Sequence, residues 1–156
     1  MNEIIVGVDD SATARTTAER AAAIAANVGK ALHIVMAVPS RQSIGALRSR
    51  SQHWQFDSIS MADETLRALA GAIHSSTPVT RTVIIGKPAK ALCDEAVRLN
   101  ASMIAVGNRR GQGVARVLSS IAGDVAKHAP CDVLIIHSSS PEPHRPNVIR
   151  TTGAAR

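Results

Sequence analysis

Five short apolar runs recur along the chain and predict the strands of a sheet. The runs are Ile4–Val8, Leu32–Val38, Val79–Ile85, 103–106 and 133–136. Uninterrupted apolar runs of this length are typical of strands that are buried on both faces of a parallel sheet. In the third run, apolar residues alternate with polar ones such as Arg81. That run is therefore predicted to lie at an edge of the sheet, with one face partly exposed to water.

Between these strands, apolar residues recur at helical spacing. The predicted helices cover residues 12–28, 59–73, 89–99 and 114–128. Asp10 or Ser11 is predicted to cap the first helix, and Gly29 to end it. Pro88 suits the first position of the third helix. Strands that alternate with helices indicate an α/β fold, in which a parallel sheet carries helices on both faces. Periodicity alone leaves the order of the strands open.

Two segments fall outside this pattern. Residues 40–56 are rich in arginine and serine, and they are predicted to form a long basic loop. The rings of Trp54 and Phe56 at its end would either anchor the next helix or fold back onto the body, and the first arrangement is favoured. Residues 138–156 have no apolar period and are predicted to form a flexible tail. A single domain is therefore expected over residues 1–137.

The composition agrees with one globular domain and limits the classes of partner. Of the 156 residues, 45% are hydrophobic and 19% are charged, which is an ordinary balance for a folded domain. The net charge of +6 favours anionic partners. The basic residues are scattered, however, and the chain has one Trp, one Phe and no Tyr on which bases could stack. Nucleic-acid binding is therefore disfavoured.

Little in the sequence points to catalysis or to a membrane. The six histidines and two cysteines have no metal-ligand spacing, and no Ser-His-Asp order or Walker-type lysine motif is found. His33 is interpreted as a tolerated strand residue rather than a catalytic one. No apolar run approaches the roughly 20 residues needed to cross a bilayer, and no secretory signal is visible. A non-enzymatic, cytoplasmic protein is therefore expected.

The segment that joins the fourth strand to the fourth helix carries the candidate site. Gly107 and Gly111 punctuate a basic loop that contains Arg110. Ser119 and Ser120 lie within the first turns of the predicted helix. Backbone amides that lead into a helix N-terminus, flanked by arginines and serines, suit a phosphate group. The sequence therefore predicts an anion site at this end of the fourth strand.

A carboxylate ends the first strand. Asp9 follows Ile4–Val8 directly, and the carboxyl ends of inner strands are where doubly wound sheets bind ligands. Plain capping of the next helix is the alternative role for Asp9 and its neighbour Asp10. Both interpretations stay open on the sequence alone.

Several segments together resemble the universal stress protein family. The matching stretches are IIVGVDDS (4–11), LHIVMAVP (32–39), GKPAKAL (86–92) and MIAVGNRRGQGVARVLSSIAGDVAKHAPCDVLII (103–136). The resemblance implies a Rossmann-like fold of the adenine nucleotide alpha hydrolase type, with a five-stranded parallel sheet in the order 3-2-1-4-5. It also implies a homodimer formed through the last strand, at Val133, Leu134, Ile135 and Ile136.

Family members that bind nucleotides carry the motif Gly-x2-Gly-x8/9-Gly-Ser/Thr, and the resemblance places it on this chain with two glycines replaced. The first glycine corresponds to Gly107, the second to Arg110, and the closing pair to Ser119 and Ser120. Gly111 could take over the second role after a shift of one residue. The family's contacts to adenine correspond to Asp9 and Ala37. The implied ligand is ATP or a related adenine nucleotide, bound in the crevice between the first and fourth strands.

Two functions follow from this resemblance. The first is a homodimeric stress-response protein that is regulated by an adenine nucleotide. The alternative is a family member that binds no nucleotide and acts through protein–protein interaction, using the dimer surface and the basic loop. Both are regulatory rather than enzymatic.

Overall fold

The computed structural model describes residues 2–40, 52–108 and 120–137 of the chain. The strands are β1 (Ile4–Val8), β2 (Leu32–Val38), β3 (Val79–Ile85), β4 (Met103–Asn108) and β5 (Asp132–His137), and the helices are α1 (Ala14–Asn27), α2 (Gln52–Ala72), α3 (Pro88–Leu99) and α4 (Ser120–His128). All neighbouring strands pair in parallel, in the order β3-β2-β1-β4-β5. The α/β class and the strand order that the resemblance implied are both confirmed.

Each face of the sheet packs against its own apolar layer. Ile4 and Val6 of β1 lie in a core with buried residues of α1 and α2. Ile5, which points the opposite way, lies in a second core with buried residues of α3 and α4. Since successive side chains of a strand face opposite sides, a strand covered on both sides must be apolar throughout. This explains the uninterrupted apolar runs of the central strands.

The two edge strands differ from the central ones. β3 lies at one edge, as its alternating pattern predicted, and its Arg81 reaches Asp63 of α2 at 2.7 Å. β5 lies at the other edge, and only Ile136 of its residues is fully buried. The expectation of a buried last strand is therefore wrong for the single chain, because β5 has a neighbouring strand on one side only.

Two helix ends follow the sequence signals. Gly29 has a φ of +64°, a conformation that glycine adopts without strain. Its N–H donates to the Ala26 carbonyl at 3.1 Å, and the Lys30 N–H donates to the Ala25 carbonyl at 2.9 Å. This pair of bonds closes α1 in a Schellman arrangement. Pro88 is the first residue of α3, also as predicted.

The start of α1 differs from the prediction. Its N-cap is Thr13, without a hydrogen bond from the cap side chain, so neither Asp10 nor Ser11 caps it. Instead the Asp9 carboxylate accepts the Ser11 backbone N–H at 2.9 Å. This Asx-type turn delays the helix, which then begins with the Ala14 N–H donating to the Ser11 carbonyl at 3.1 Å.

The predicted loop over residues 40–56 is too long at its C-terminal end. α2 already begins at Gln52, so Trp54 and Phe56 belong to the helix. No Gly or Pro interrupts residues 52–58, and nothing there opposes helix formation. Residues 41–51, the start of the fourth predicted helix at 114–119, and the predicted tail at 138–156 lie outside the described residues.

Candidate functional site

The reversal of strand order places a crevice between β1 and β4. From β1 the chain passes through α1 to β2 on one side, whereas β4 pairs with the opposite side of β1 and leads on to β5. The connecting helices therefore diverge at the carboxyl ends of β1 and β4. In doubly wound sheets this switch point is where ligands bind.

A cavity of about 280 Å³ occupies this crevice. Its walls come from the ends of β1, β2 and β4 and from residues of α1, α3 and α4. The lining residues are Gly7, Val8, Asp9, Ser11, Thr13, Ala14, Thr17, Val35, Ala37, Pro88, Leu92, Val106, Gly107 and Ile121. The fold thus brings strands, helices and the β1–α1 turn together at one opening.

Helix N-termini lie beside the cavity. Its lining includes Ala14, which opens α1, and Pro88, which opens α3. The N-terminus of a helix carries partial positive charge and N–H groups without intrahelical partners. Two such ends at one cavity favour an anionic ligand.

One wall of the cavity is polar. The Asp9 carboxylate lies at the end of β1, and one of its oxygens accepts the Ser11 N–H at 2.9 Å. The hydroxyls of Ser11 and Thr13 share a hydrogen bond of 3.1 Å, and Thr17 donates its hydroxyl to the Thr13 carbonyl at 3.1 Å. These groups can accept hydrogen bonds from the amino or hydroxyl groups of a ligand.

The opposite lining is apolar. Val35 and Leu92 are buried, and Ala37 lies beside them at the end of β2. Ile121, which is 39% exposed, also lines the cavity. An apolar floor with a few convergent polar groups suits a planar, weakly polar ring that carries hydrogen-bonding edges.

Two glycines keep this end of the sheet open to its helices. A Cβ on Gly107 would lie 2.8 Å from the Thr17 hydroxyl oxygen, and one on Gly7 would lie 2.7 Å from a methyl carbon of Leu92. Gly107 has no positive φ and pairs with Ile136 as a regular strand residue. Its lack of a side chain is therefore explained by the close approach of α1.

Three of the predicted site residues meet in this cavity. Asp9, Ala37 and Gly107 all line it, although they belong to different strand ends. Ser120 belongs to α4 and directly precedes the lining residue Ile121. The remaining predicted residues, Arg110, Gly111 and Ser119, lie outside the described residues.

Sequence reasoning missed the hydroxyls at the start of α1. Thr13 and Thr17 line the cavity, and only 3% of the surface of Thr17 is exposed. They are spaced four residues apart, so one helix face presents both of them to the strand ends. A polar pair at this spacing, shortly after an Asp at a strand end, was the available signal. The many alanines of the same helix made this pair of threonines hard to recognise as part of a site.

The surroundings of the two cysteine thiols disfavour the reactive thiolate form. Burial, followed by the Asp94 carboxylate, raises the pKa of the Cys93 thiol, and burial with Asp132 raises that of Cys131. A raised pKa lowers the thiolate fraction at neutral pH. Over the described ranges, no group of three or more His, Cys, Asp or Glu residues could hold a metal ion, and no helix is long and apolar enough to cross a membrane.

The fold and this crevice define a doubly wound α/β protein with a ligand cavity at its switch point. The Universal stress protein family model matches residues 1–137. The chain belongs to the universal stress protein family.

Individual relatives agree with this assignment. Universal stress protein Rv1636 of Mycobacterium tuberculosis is 26% identical over 140 residues, which covers 87% of this chain and 96% of that protein. The structure of universal stress protein UspA from Lactobacillus plantarum superposes with a TM-score of 0.72 at 22% identity, over 86% of this chain and 97% of that one.

One similar structure contains a nucleotide. It is a universal stress protein in complex with cAMP, which is 26% identical to this chain and superposes with a TM-score of 0.61. The match covers 88% of this chain and 98% of that protein.

Proposed function

We propose that this protein binds an adenine nucleotide in the cavity between β1 and β4 and acts as a regulatory stress-response protein. The observation that carries the proposal is the cavity itself, which combines an apolar floor, the Asp9 carboxylate and the N-termini of α1 and α3. These features match the separate needs of a purine ring, a hydrogen-bonding edge and a phosphate. The similar protein in complex with cAMP supports the same class of ligand.

In the proposed complex the adenine lies at Asp9 and Ala37, and the phosphates lie toward Gly107 and Ser120. The Asp9 carboxylate accepts hydrogen bonds from amino or hydroxyl groups of the nucleoside. The N-terminal ends of α1 and α3, which open at Ala14 and Pro88 beside the cavity, offer backbone N–H groups to phosphate. Arg110, Gly111 and Ser119 complete the phosphate side of the proposal.

The proposal includes a homodimer and a cytoplasmic location. The strand β5 has an open edge, and Val133, Leu134 and Ile135 are only half-buried in the single chain. Pairing with a second copy would cover this edge. The two free thiols, Cys93 and Cys131, are compatible with the reducing conditions of the cytoplasm.

Calorimetric titration with ATP, ADP, AMP and cAMP tests the ligand assignment. We expect at least one nucleotide to bind the wild type, and Asp9→Asn to weaken it about tenfold or more, because a hydrogen bond to a charged group contributes about 1.5–3 kcal/mol. Asp10→Asn is the matched control, since Asp10 is exposed and does not line the cavity. Its affinity should equal that of the wild type.

Two results would contradict the proposal. Equal losses in both variants would show that general charge, rather than Asp9, governs binding. Failure of all four nucleotides to bind would favour the alternative, in which the protein acts through protein–protein contacts alone.

A further inference from the structure

A polar cluster lies inside the core between the sheet and α3. His33 of β2 and Glu95 of α3 each expose only 6% of their surface. Both ring nitrogens of His33 have partners: Nδ1 is 2.6 Å from the Thr80 hydroxyl oxygen, and Nε2 is 3.0 Å from Oε1 of Glu95. His33 is therefore the centre of a hydrogen-bonded chain that joins β3, β2 and α3, rather than a merely tolerated strand residue.

The ionisation state of Glu95 determines whether Nε2 of His33 carries a proton. The Arg98 guanidinium donates to Oε2 at 2.8 Å and to Oε1 at 2.6 Å. Chiefly these bonds, against the opposing effect of burial, hold the pKa of the Glu95 carboxyl below its ordinary value. An ionised carboxylate only accepts hydrogen bonds. The Nε2 atom of His33 must therefore carry a proton and donate it to Glu95.

The partners of Thr80 then depend on the charge of His33. A neutral imidazole that is protonated on Nε2 has an acceptor at Nδ1, so the Thr80 hydroxyl must donate to it. A doubly protonated ring donates from Nδ1 to the Thr80 oxygen. The hydroxyl proton is then available to the Leu32 carbonyl, whose oxygen is 3.5 Å from the Thr80 hydroxyl.

The charged groups around His33 come from two other segments. α3 contributes Glu95 and Arg98, and Glu3, just before β1, acts on Arg98. The residues that pair with His33 in the sheet, Ile5 of β1 and Thr80 of β3, carry no charge. Oε2 of Glu3 is buried and has no hydrogen-bond partner among the described residues. When Glu3, Glu95 and Arg98 are all ionised, these three side chains together carry a net negative charge while His33 is neutral. A proton on His33 neutralises that charge.

We propose that His33 is a proton-operated switch that sets the direction of the Thr80 hydroxyl at the edge of the sheet. With His33 neutral, Thr80 donates to Nδ1 of His33. With His33 protonated, Thr80 accepts from Nδ1 and donates to the Leu32 carbonyl, which adds a side-chain bond between β3 and β2. The switch involves no residue of the cavity, so it stands independently of nucleotide binding.

Nuclear magnetic resonance of the full chain, recorded from about pH 8 to pH 5, where histidine side chains titrate, tests the switch. The ¹⁵N shifts of the His33 ring report its protonation and tautomer, and the ¹³C shift of the Leu32 carbonyl reports its hydrogen bond. We expect a neutral ring protonated on Nε2 at high pH. On acidification, Nδ1 should gain a proton while the Leu32 carbonyl shifts with the same midpoint.

Thr80→Val supplies the matched variant, because it keeps the β-branched shape that suits a strand and removes only the hydroxyl. Thr80 is exposed at the sheet edge, so the variant is expected to fold. His33 should still titrate in it, but the Leu32 response should be lost.

Three outcomes would overturn the proposal. One is a neutral His33 that carries its proton on Nδ1. Another is a Leu32 carbonyl that ignores the titration of His33 in the wild type, or that responds equally in Thr80→Val. The third is a His33 that keeps one protonation state over the whole range.

Discussion

At the scale of single residues, close approach explains positions that composition leaves unexplained. Glycine is required at position 107 because a Cβ there would lie too close to the Thr17 hydroxyl oxygen. Glu95 is required by the buried hydrogen bonds that it accepts from His33 and Arg98. Thr17 lies on a different element from Gly107, and His33 lies on a different element from Glu95. The sequence next to Gly107 or Glu95 therefore does not reveal why that residue is needed.

The Gly107 contact predicts a loss of stability on Gly107→Ala. The added Cβ would meet the Thr17 oxygen at 2.8 Å, and overpacking of this kind typically costs about 1–3 kcal/mol. Removing the oxygen in the double variant Gly107→Ala/Thr17→Ala should recover part of that loss, which urea denaturation would measure as a favourable coupling energy.

Gly123→Ala is the control for this prediction. Gly123 lies inside α4, and nothing lies within 4 Å of the position that a Cβ would take there. The substitution should stabilise the protein by about 0.5–1 kcal/mol, as expected for alanine in a helix interior. Equal effects of the two alanine substitutions would refute the steric account of Gly107.

The Glu95 carboxylate predicts a pH-dependent contribution to stability. Because its pKa is lowered in the folded state, its stabilisation is fully present above the unfolded value of about 4.3 and is lost as the pH falls through the folded value. Glu95→Gln should therefore lower the free energy of unfolding at pH 7 by about 1.5–3 kcal/mol. The difference should shrink as the pH falls below about 4.3.

Asp94→Asn provides the comparison on the same helix. Asp94 pairs with Lys90, but both side chains are largely exposed, and exposed ion pairs contribute about 0–1 kcal/mol. Chemical denaturation at several pH values would compare the two variants. An effect of Glu95→Gln that stays constant down to about pH 3, well below the ordinary carboxyl range, would show that the charge of Glu95 is not its source.

At the scale of elements, the sequence signals were strongest where local geometry decides. Gly29 ends α1 and Pro88 begins α3, since backbone conformation alone selects these residues. The start of α2 was misplaced because residues 52–56 have no strong apolar period, although they lack helix breakers. The cap of α1 was misplaced because Asp9 forms a turn with Ser11 before the helix begins.

The two left-handed helix ends predict opposite results for two substitutions. Gly29→Ala should destabilise the protein by about 1 kcal/mol, because alanine at a φ of +64° is strained. Asn100→Gly should be neutral or stabilising, since Asn100 already has a φ of 49°. Thermal unfolding of both variants checks this, and a stabilising Gly29→Ala would contradict the assignment of the α1 end.

At the scale of the whole molecule, the strand ends of the site could be predicted and its helix walls could not. Asp9, Ala37 and Gly107 lie at carboxyl ends of strands, and parallel strands bring those ends to one edge. Thr13 and Thr17 enter the cavity through the packing of α1, and their spacing alone does not show which face of the helix meets the strand ends. The bond between His33 and Glu95 joins residues 62 positions apart, so only the tertiary fold reveals it.

The open edge of β5 predicts the effect of a charge placed on it. Val133→Lys should convert the proposed dimer to a monomer, because a lysine on an edge strand opposes pairing with another strand; since Val133 also packs against the core with α3 and α4, circular dichroism must show that the variant stays folded. Thr82→Lys on the opposite edge strand, β3, is the control and should leave the dimer intact. Sedimentation velocity distinguishes these states, and a wild-type monomer would contradict the proposed assembly.

The central claim is that the cavity between β1 and β4 holds an adenine nucleotide, and native mass spectrometry of the purified protein tests it most directly. We predict an added mass equal to one adenine nucleotide per chain, either on the protein as purified or after addition of ATP or cAMP. At nucleotide concentrations near the wild-type Kd, this mass should be reduced in Asp9→Asn and kept in Asp10→Asn. A wild-type chain that stays without added mass at saturating concentrations of each nucleotide would contradict the claim.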